Sequence, residues 1–323
     1  MDRSAAPPST SFGSAAYGGD GWSPRIKSHG EEVGDLFAPC GLDSEWRPLK
    51  RVLVHRPGPE MEISREEIEA VQFADVIDLG RARAQHDAMV AAYESCGVGV
   101  EYLVPGPRVT PNQLYCADLA AMTPQGAILA RPASTVRAGE ERWMAATLWQ
   151  LGVPVIKVLT GTATFEGADL MWLDPETAVI GRGLRTNDEA IAQISHLLSE
   201  TGVSTLAFDL PWGTMHFMGM MRIVDKDLAF VWPRRTPHGL VTALKARGFQ
   251  VAALPDVDEA SNNMAFNLVV LGPRKIMLPA GSPRSVAAYE AHGIECVEVA
   301  VDELQKAYGA MGCMSHILER ERA

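Results

Sequence analysis

Cysteine is scarce in this sequence and shows no pairing pattern. There are five, Cys40, Cys96, Cys116, Cys296 and Cys313, an odd number with no CxxC spacing. A disulfide framework is therefore not expected in a chain of 323 residues, and reduced thiols in a reducing, cytoplasmic compartment are. Basic charge is in deficit. The 29 Lys and Arg against 40 Asp and Glu leave a net charge of −11, which argues against nucleic acid and anionic membrane surfaces as partners. No apolar run approaches the roughly 18 residues that span a bilayer. The opening MDRSAAPPSTSFGSAAYGGDG lacks the apolar core of a secretory signal. Neither GxxxxGKS/T nor GxGxxG occurs, so no phosphate-cradling loop is evident.

What the sequence does contain is an internal repeat. Five helix-like stretches each end in a glycine that runs straight into a short apolar strand: SCGVGVEYL, QLGVPVIKVL, ETGVSTLAF, ARGFQVAAL and AHGIECVEV. The glycines, Gly97, Gly152, Gly202, Gly248 and Gly293, are 55, 50, 46 and 45 residues apart. Each suits the left-handed position that follows a helix. Apolar runs begin at Pro48 and recur near residues 127, 178, 228 and 275, the later ones preceded by turn signals such as Thr123-Pro124-Gln125-Gly126. Each unit thus reads as a hairpin, a helix and one more strand leading on. The stretch 187–201 typifies the helices, with Ile191, Ile194, Leu197 and Leu198 at helical spacing behind an Asn187 N-cap.

The first run has no hairpin partner upstream, and Met314–Leu318 has none downstream. Pairing these two ends would close a ring and remove the open edges. The expected fold is therefore α/β: a closed five-bladed propeller of ββαβ repeats with pseudo-fivefold symmetry. Residues 1–47 read as a disordered tail (to about 25) and a loosely structured approach, and 48–323 as a single catalytic domain. Residues 59–80 exceed what a unit needs and read as a flap over a central pocket.

One residue of chemical interest follows each post-glycine strand: Asp118, Glu166, His216, Asn262 and Cys313. In the three middle units it lies 14 residues past the glycine. Equivalent positions on units arranged about an axis converge, bringing a thiol, an imidazole and two carboxylates together. Cys313, in Gly309-Ala310-Met311-Gly312-Cys313, is the candidate nucleophile, and His216 the candidate general acid/base. Glu166 and Asp169, in Phe165-Glu166-Gly167-Ala168-Asp169, and Asp118 each precede an apolar run. A carboxylate held there needs a cation, and a planar guanidinium fits a bidentate clamp. Arg137 and Arg185 lie 19 residues after Asp118 and Glu166 and are candidates for a substrate carboxylate; Arg235 lies 19 after His216 but adjoins Arg234. Zinc is the competing reading of the Cys, His and acid set, without HxxxH or CxxC support.

These pieces resemble the guanidine-modifying enzymes of the pentein superfamily over about residues 48–320. The matching segments are LKRVLVHRPG, YCADLAAMTPQGAILARP, FEGADLMWL, GRGLRTN, the His216 loop and GAMGCMS. The dimethylarginine dimethylaminohydrolase and arginine deiminase branches look most similar, with amidinotransferases as relatives. The resemblance implies that Cys313 attacks a guanidinium carbon, His216 protonates the departing amine, Glu166 and Asp118 anchor the guanidinium, and Arg137 and Arg185 hold the α-carboxylate. Where many relatives have an aspartate two residues after the histidine, this chain has Met218, whose thioether contacts methyl groups instead. The implied activity is hydrolysis of an N-methylated arginine to citrulline and a methylamine. The alternatives are amidino transfer to an amine, arginine deimination, or a non-catalytic binding protein. No cofactor or metal is implied. Partners are limited to a small guanidine and, at most, a second copy of the chain in a homodimer.

Overall fold

The computed structural model describes residues 13–322, so the part of the expected disordered tail at 1–12 lies outside the described residues. Residues 13–28 are almost all exposed. After a helical turn, α1 (His29–Glu32), the chain enters β1 (Leu49–Val54), the long helix α2 (Leu79–Ser95) and β2 (Gly99–Tyr102), which pairs with β1 in parallel. Four similar units follow. Their hairpins are β3 (Ala120–Thr123) with β4 (Gly126–Leu129), β6 (Leu170–Asp174) with β7 (Thr177–Arg182), β9 (Met221–Asp225) with β10 (Leu228–Val231), and β12 (Val269–Gly272) with β13 (Lys275–Pro279). Each then runs through a helix, α3 (Glu141–Gln150), α4 (Asp188–Ser199), α5 (His238–Ala246) or α7 (Pro283–Ala291). A parallel third strand completes each unit: β5 (Val155–Val158), β8 (Ser204–Asp209), β11 (Gln250–Ala253) or β14 (Glu295–Val299). That strand pairs within its own unit, and the loop beyond it leads to the next.

Among the described residues the result is an α/β fold of five three-stranded sheets. The first sheet has the order β15-β1-β2, because the last strand, β15 (His316–Arg320), pairs antiparallel with β1. The two ends that lacked partners in sequence thus complete one sheet. The hairpin strands β3, β4, β9, β10 and β12 are buried throughout, as expected where both faces are covered.

The repeat glycines explain how five helices hand over to five strands. All five have positive φ, from 72° to 84°. Each donates its N–H to the carbonyl three residues back, and the following residue donates to the carbonyl five back, as in Val203 to Leu198 and Ile294 to Tyr289. This is the Schellman closure, which satisfies helix-end carbonyls and turns the chain toward the sheet. In α4 the side chain of Asn187 accepts the Ala190 N–H, while Ile194 and Leu198 are buried against the neighbouring sheets. Each such fully buried aliphatic side chain contributes about 1.5–3 kcal/mol.

The expected loose approach at 26–47 is corrected from residue 38 onward. Ala38 donates to Gly152 O, Gly41 exchanges hydrogen bonds with Leu318 and Arg320, and Cys40, Leu42, Asp43 and Ser44 are buried. The Glu45 carboxylate accepts the Trp172 N–H at 2.9 Å. Gly41 has φ +98°, and a Cβ there would stand 2.5 Å from Thr123 O. The segment is bound by backbone pairing and a few inward side chains, which leave no periodic signature.

Candidate active site

The loops entering the inner strands bring residues of different units together. Asp118 ends the 3-10 turn Cys116–Asp118 just before β3, and Glu166 immediately precedes the turn Gly167–Asp169 before β6. His216 precedes the turn Phe217–Gly219 before β9, and Cys313 lies in the single helical turn α8 (Met311–Met314) before β15. The fourth position needs correction. Asn262 ends an extra helix, α6 (Val257–Asn262), and is exposed. The residue at the site is Asn267, two positions before β12. Counting back from the strand, rather than forward from the glycine, would have found it.

Asn267 grips the nucleophile candidate from two sides. Its Nδ2 donates to Cys313 Sγ at 2.9 Å and its Oδ1 accepts the Cys313 N–H at 3.2 Å. The fit requires Gly312: a Cβ there would lie 2.5 Å from Asn267 Oδ1 and 3.0 Å from both Leu268 O and an Arg222 guanidinium nitrogen. Burial and the nearby Asp118 charge push the Cys313 thiol up, against the lowering effect of Asn267 and Arg222.

Glu166 is fully buried and joins three partners. His216 Nε2 lies 2.5 Å from its Oε2, Arg185 Nη1 donates to its Oε1 at 3.1 Å, and the Ala133 N–H reaches the same oxygen. Burial alone would raise this carboxyl, but His216, Arg137 and Arg185 outweigh it and hold it well below the usual range. Burial likewise disfavours the His216 cation. Asp118, Glu166 and Asp169 overcome that and raise it to about 9. At neutral pH the resting pair is therefore a thiol and an imidazolium. Because His216 is raised in the folded state, its ion pair contributes stability in full below the ordinary imidazole value of 6.5, and that contribution is lost as pH rises through about 9.

Asp118 is the residue with capacity to spare. Its Oδ2 accepts from Arg137 Nη1 at 2.5 Å, while its Oδ1 is buried with no hydrogen-bond partner, 3.8 Å from His216 Nε2. Arg185 Nε is likewise buried without an acceptor. Both residues line a small cavity of 40 Å³ together with Cys313, Tyr308 and Gln72. Gln72 belongs to the segment expected to act as a flap. That segment is tied down by Asn112 Nδ2 on Val71 O and by Ala74 N–H on Lys306 O. A second cavity, of 220 Å³, has Cys313 and His216 in its wall, with Met218, Trp232, Phe266 and Met264 among others.

Two expected substrate contacts are engaged inside the protein. Both Asp169 oxygens are spent inside the protein, one on the Phe217 N–H at 2.8 Å and the other on the Thr186 hydroxyl at 2.6 Å. It holds the His216 loop against the Glu166 loop and lines neither cavity. Arg137 faces the small cavity, but its donors go to Glu140, Asp118 and the carbonyls of Asn112 and Tyr115. It therefore pins Asp118 in place. The 19-residue spacing marked ion pairs within units, Arg137 with Asp118 and Arg185 with Glu166, and the buried Arg185 Nε is left without an acceptor. Glu140, Gln72 and Asn267 were not singled out from sequence. Met218 lines the larger cavity.

Asp118, Glu166 and His216 present ligand atoms within 4.8 Å of one another, near enough to meet one cation. Arg137 and Arg185 already neutralise the same carboxylates, so the set is an ion-pair network.

Gly167 fixes the geometry of this network. A Cβ on it would lie 2.0 Å from Ala120 O and 2.6 Å from Ala117 O, so the Glu166 loop packs backbone to backbone on the Asp118 loop. Gly167→Ala is expected to lower stability by about 1–3 kcal/mol and to reduce activity by moving Glu166 off His216. Denaturant midpoints and turnover of the folded fraction check both effects.

The family model described as N,N dimethylarginine dimethylhydrolase, eukaryotic, matches residues 68–319. The chain belongs to this dimethylarginine dimethylhydrolase family. It is 26% identical over 238 residues to the N(G),N(G)-dimethylarginine dimethylaminohydrolase of Pseudomonas aeruginosa, spanning 74% of this chain and 89% of that protein. The Streptomyces coelicolor protein of the same name is 24% identical over 268 residues, spanning 83% and 96%. Among solved structures, the citrulline complex of the Pseudomonas aeruginosa enzyme superposes with a TM-score of 0.69 at 22% identity, over 83% of this chain and 99% of that one. An amidinotransferase of the saxitoxin pathway of Microseira wollei gives 0.72 at 15% identity, over 88% and 98%. At these identities the structural matches speak for the fold that this family member shares. Among the described residues no helix is long and apolar enough to cross a membrane.

Proposed function

We propose that the chain is a cysteine-dependent hydrolase that converts N-methylated arginine to citrulline and methylamine or dimethylamine. The observation that carries this reading is the buried Asp118 Oδ1, which accepts no hydrogen bond, in a cavity shared with a Cys313 held by Asn267 and 3.8 Å from the Glu166-bound His216. In this reading the five sheets close as a five-bladed propeller forming one catalytic domain, with the site on its axis. The setting is cytoplasmic, and the family's naming fits the substrate.

The guanidinium enters against Asp118 Oδ1 and Glu166, and the substrate carboxylate meets Arg185 Nε. Arriving positive charge lowers the Cys313 thiol, which loses its proton to solvent, and the thiolate attacks the guanidinium carbon. His216, an imidazolium at neutral pH, gives its proton to the departing methylamine as the C–N bond breaks. This leaves an amidino-thioether on Cys313 and a neutral His216. The imidazole then takes a proton from water, which adds to the same carbon. Collapse expels the sulfur, which takes up the proton lost by the new hydroxyl as the carbonyl forms, and this releases citrulline and restores the thiol. Met218 contacts the methyl groups.

The test is citrulline release from asymmetric dimethylarginine by the purified protein with no amine acceptor present. Turnover is expected to fall as pH rises through about 9, because His216 loses its proton there. Amidino transfer is the second reading, favoured by the room in the 220 Å³ cavity beside Cys313. A new guanidine formed only when an amine is supplied, with no citrulline in its absence, would replace the hydrolase reading.

A further inference from the structure

The 220 Å³ cavity is larger than methyl groups require; cavities of about 150 Å³ hold a benzene-sized molecule. Its charge is also opposite to that of the chain. The protein carries −11 overall, yet no Asp or Glu lines this cavity, whereas Arg222, Arg235 and His216 do. Arg222 is buried, with its Nε on Phe266 O at 3.1 Å. Arg235 is exposed, its guanidinium carbon 4.2 Å from the centre of the Trp232 ring, which holds it at the cavity wall.

The repeat explains why Arg235 has charge to offer. Arg137 and Arg185 each lie 19 residues after an acid and pair with that acid. Arg235 occupies the same offset in the next unit, where the residue 19 positions back is His216. Among the described residues Arg235 has no ion pair and no side-chain hydrogen bond. Where the other two units carry an acid this one carries His216, which leaves a planar cation in a cavity that Cys313 also lines.

We propose that this cavity is a subsite for an acidic substituent on the substrate's terminal guanidine nitrogen, and that Arg235 is the residue that selects it. The inference rests on the hydrolase reading and sharpens its substrate class to Nω-(carboxyalkyl)arginines. The Cys313 sulfur bonds to the guanidinium carbon and the bond to the substituted nitrogen breaks. His216 supplies the proton to that nitrogen, so an amino acid leaves in place of methylamine. Water then releases citrulline as before. Arg235 meets the departing carboxylate in a bidentate pair.

The experiment compares Nω-(carboxymethyl)arginine with Nω-methylarginine by citrulline release, on wild type, Arg235→Gln and Arg235→Lys. Wild type is expected to favour the carboxymethyl substrate in kcat/KM by roughly 10-fold or more, the size of one charge-assisted contact. Arg235→Gln should cut that ratio by a similar factor, and Arg235→Lys should restore part of it. A wild type that favours the methyl substrate overturns the proposal, as does an Arg235→Gln variant that slows both substrates equally and leaves the ratio unchanged. In either case citrulline from methylarginine keeps the hydrolase reading standing. No citrulline from either substrate sinks both.

Discussion

Cys313→Ser is expected to cut citrulline formation by at least about 10³-fold while leaving the fold intact. The serine hydroxyl can still accept from Asn267 Nδ2, and its N–H keeps the bond to Asn267 Oδ1, so the α8 turn has no reason to move. What is lost is the nucleophile. A thiol can be brought to its anion by the arriving guanidinium, whereas a hydroxyl beside the Asp118 charge cannot. Steady-state citrulline assays with circular dichroism of the same samples check both halves. A variant keeping a tenth of wild-type activity would remove Cys313 from the chemistry.

Arg137→Met is expected to be the most damaging change to stability, at about 3–5 kcal/mol, the range for removing one partner of a buried ion pair. Arg137 is 4% exposed, and Asp118 and Glu140 on either side of it are equally hidden. Methionine fills most of the volume but leaves two buried carboxylates facing each other. Against a typical total of about 5–15 kcal/mol such a loss threatens folding at ordinary temperatures. The deficit should shrink as pH falls, because the Glu140 carboxyl, pushed up by burial and no longer held down by Arg137, is protonated and its unpaired charge removed. Denaturant titrations at neutral and mildly acidic pH check the sign. A deficit independent of pH would mean that lost packing, not lost pairing, is responsible.

Features written in local chemistry were legible in the sequence. The five glycines announce helix ends because only the left-handed position needs them, and the unmatched first and last apolar runs announce the sheet they share. Cys313, His216, Glu166 and Asp118 follow from their place before inner strands. Asn267 escaped because α6 is inserted in its loop, so that counting 14 residues from Gly248 stops at Asn262. Asp169 was misread because a carboxylate before a strand looks the same whether it awaits a ligand or accepts the Phe217 N–H. The arginine spacing was real, but one sequence cannot say whether an arginine 19 residues from an acid turns to it or away from it. Residues 38–47 bind by backbone pairing, to which side-chain patterns are blind.

The most direct measurement is the intact mass of the protein, quenched within the first turnovers with asymmetric dimethylarginine and digested to locate any adduct. The expected result is a covalent amidino adduct on Cys313, lacking dimethylamine, absent from Cys313→Ser and converted to free citrulline on standing. Citrulline formed with no adduct on Cys313, or an adduct on another residue, would contradict the covalent mechanism built on Cys313, His216 and Asp118.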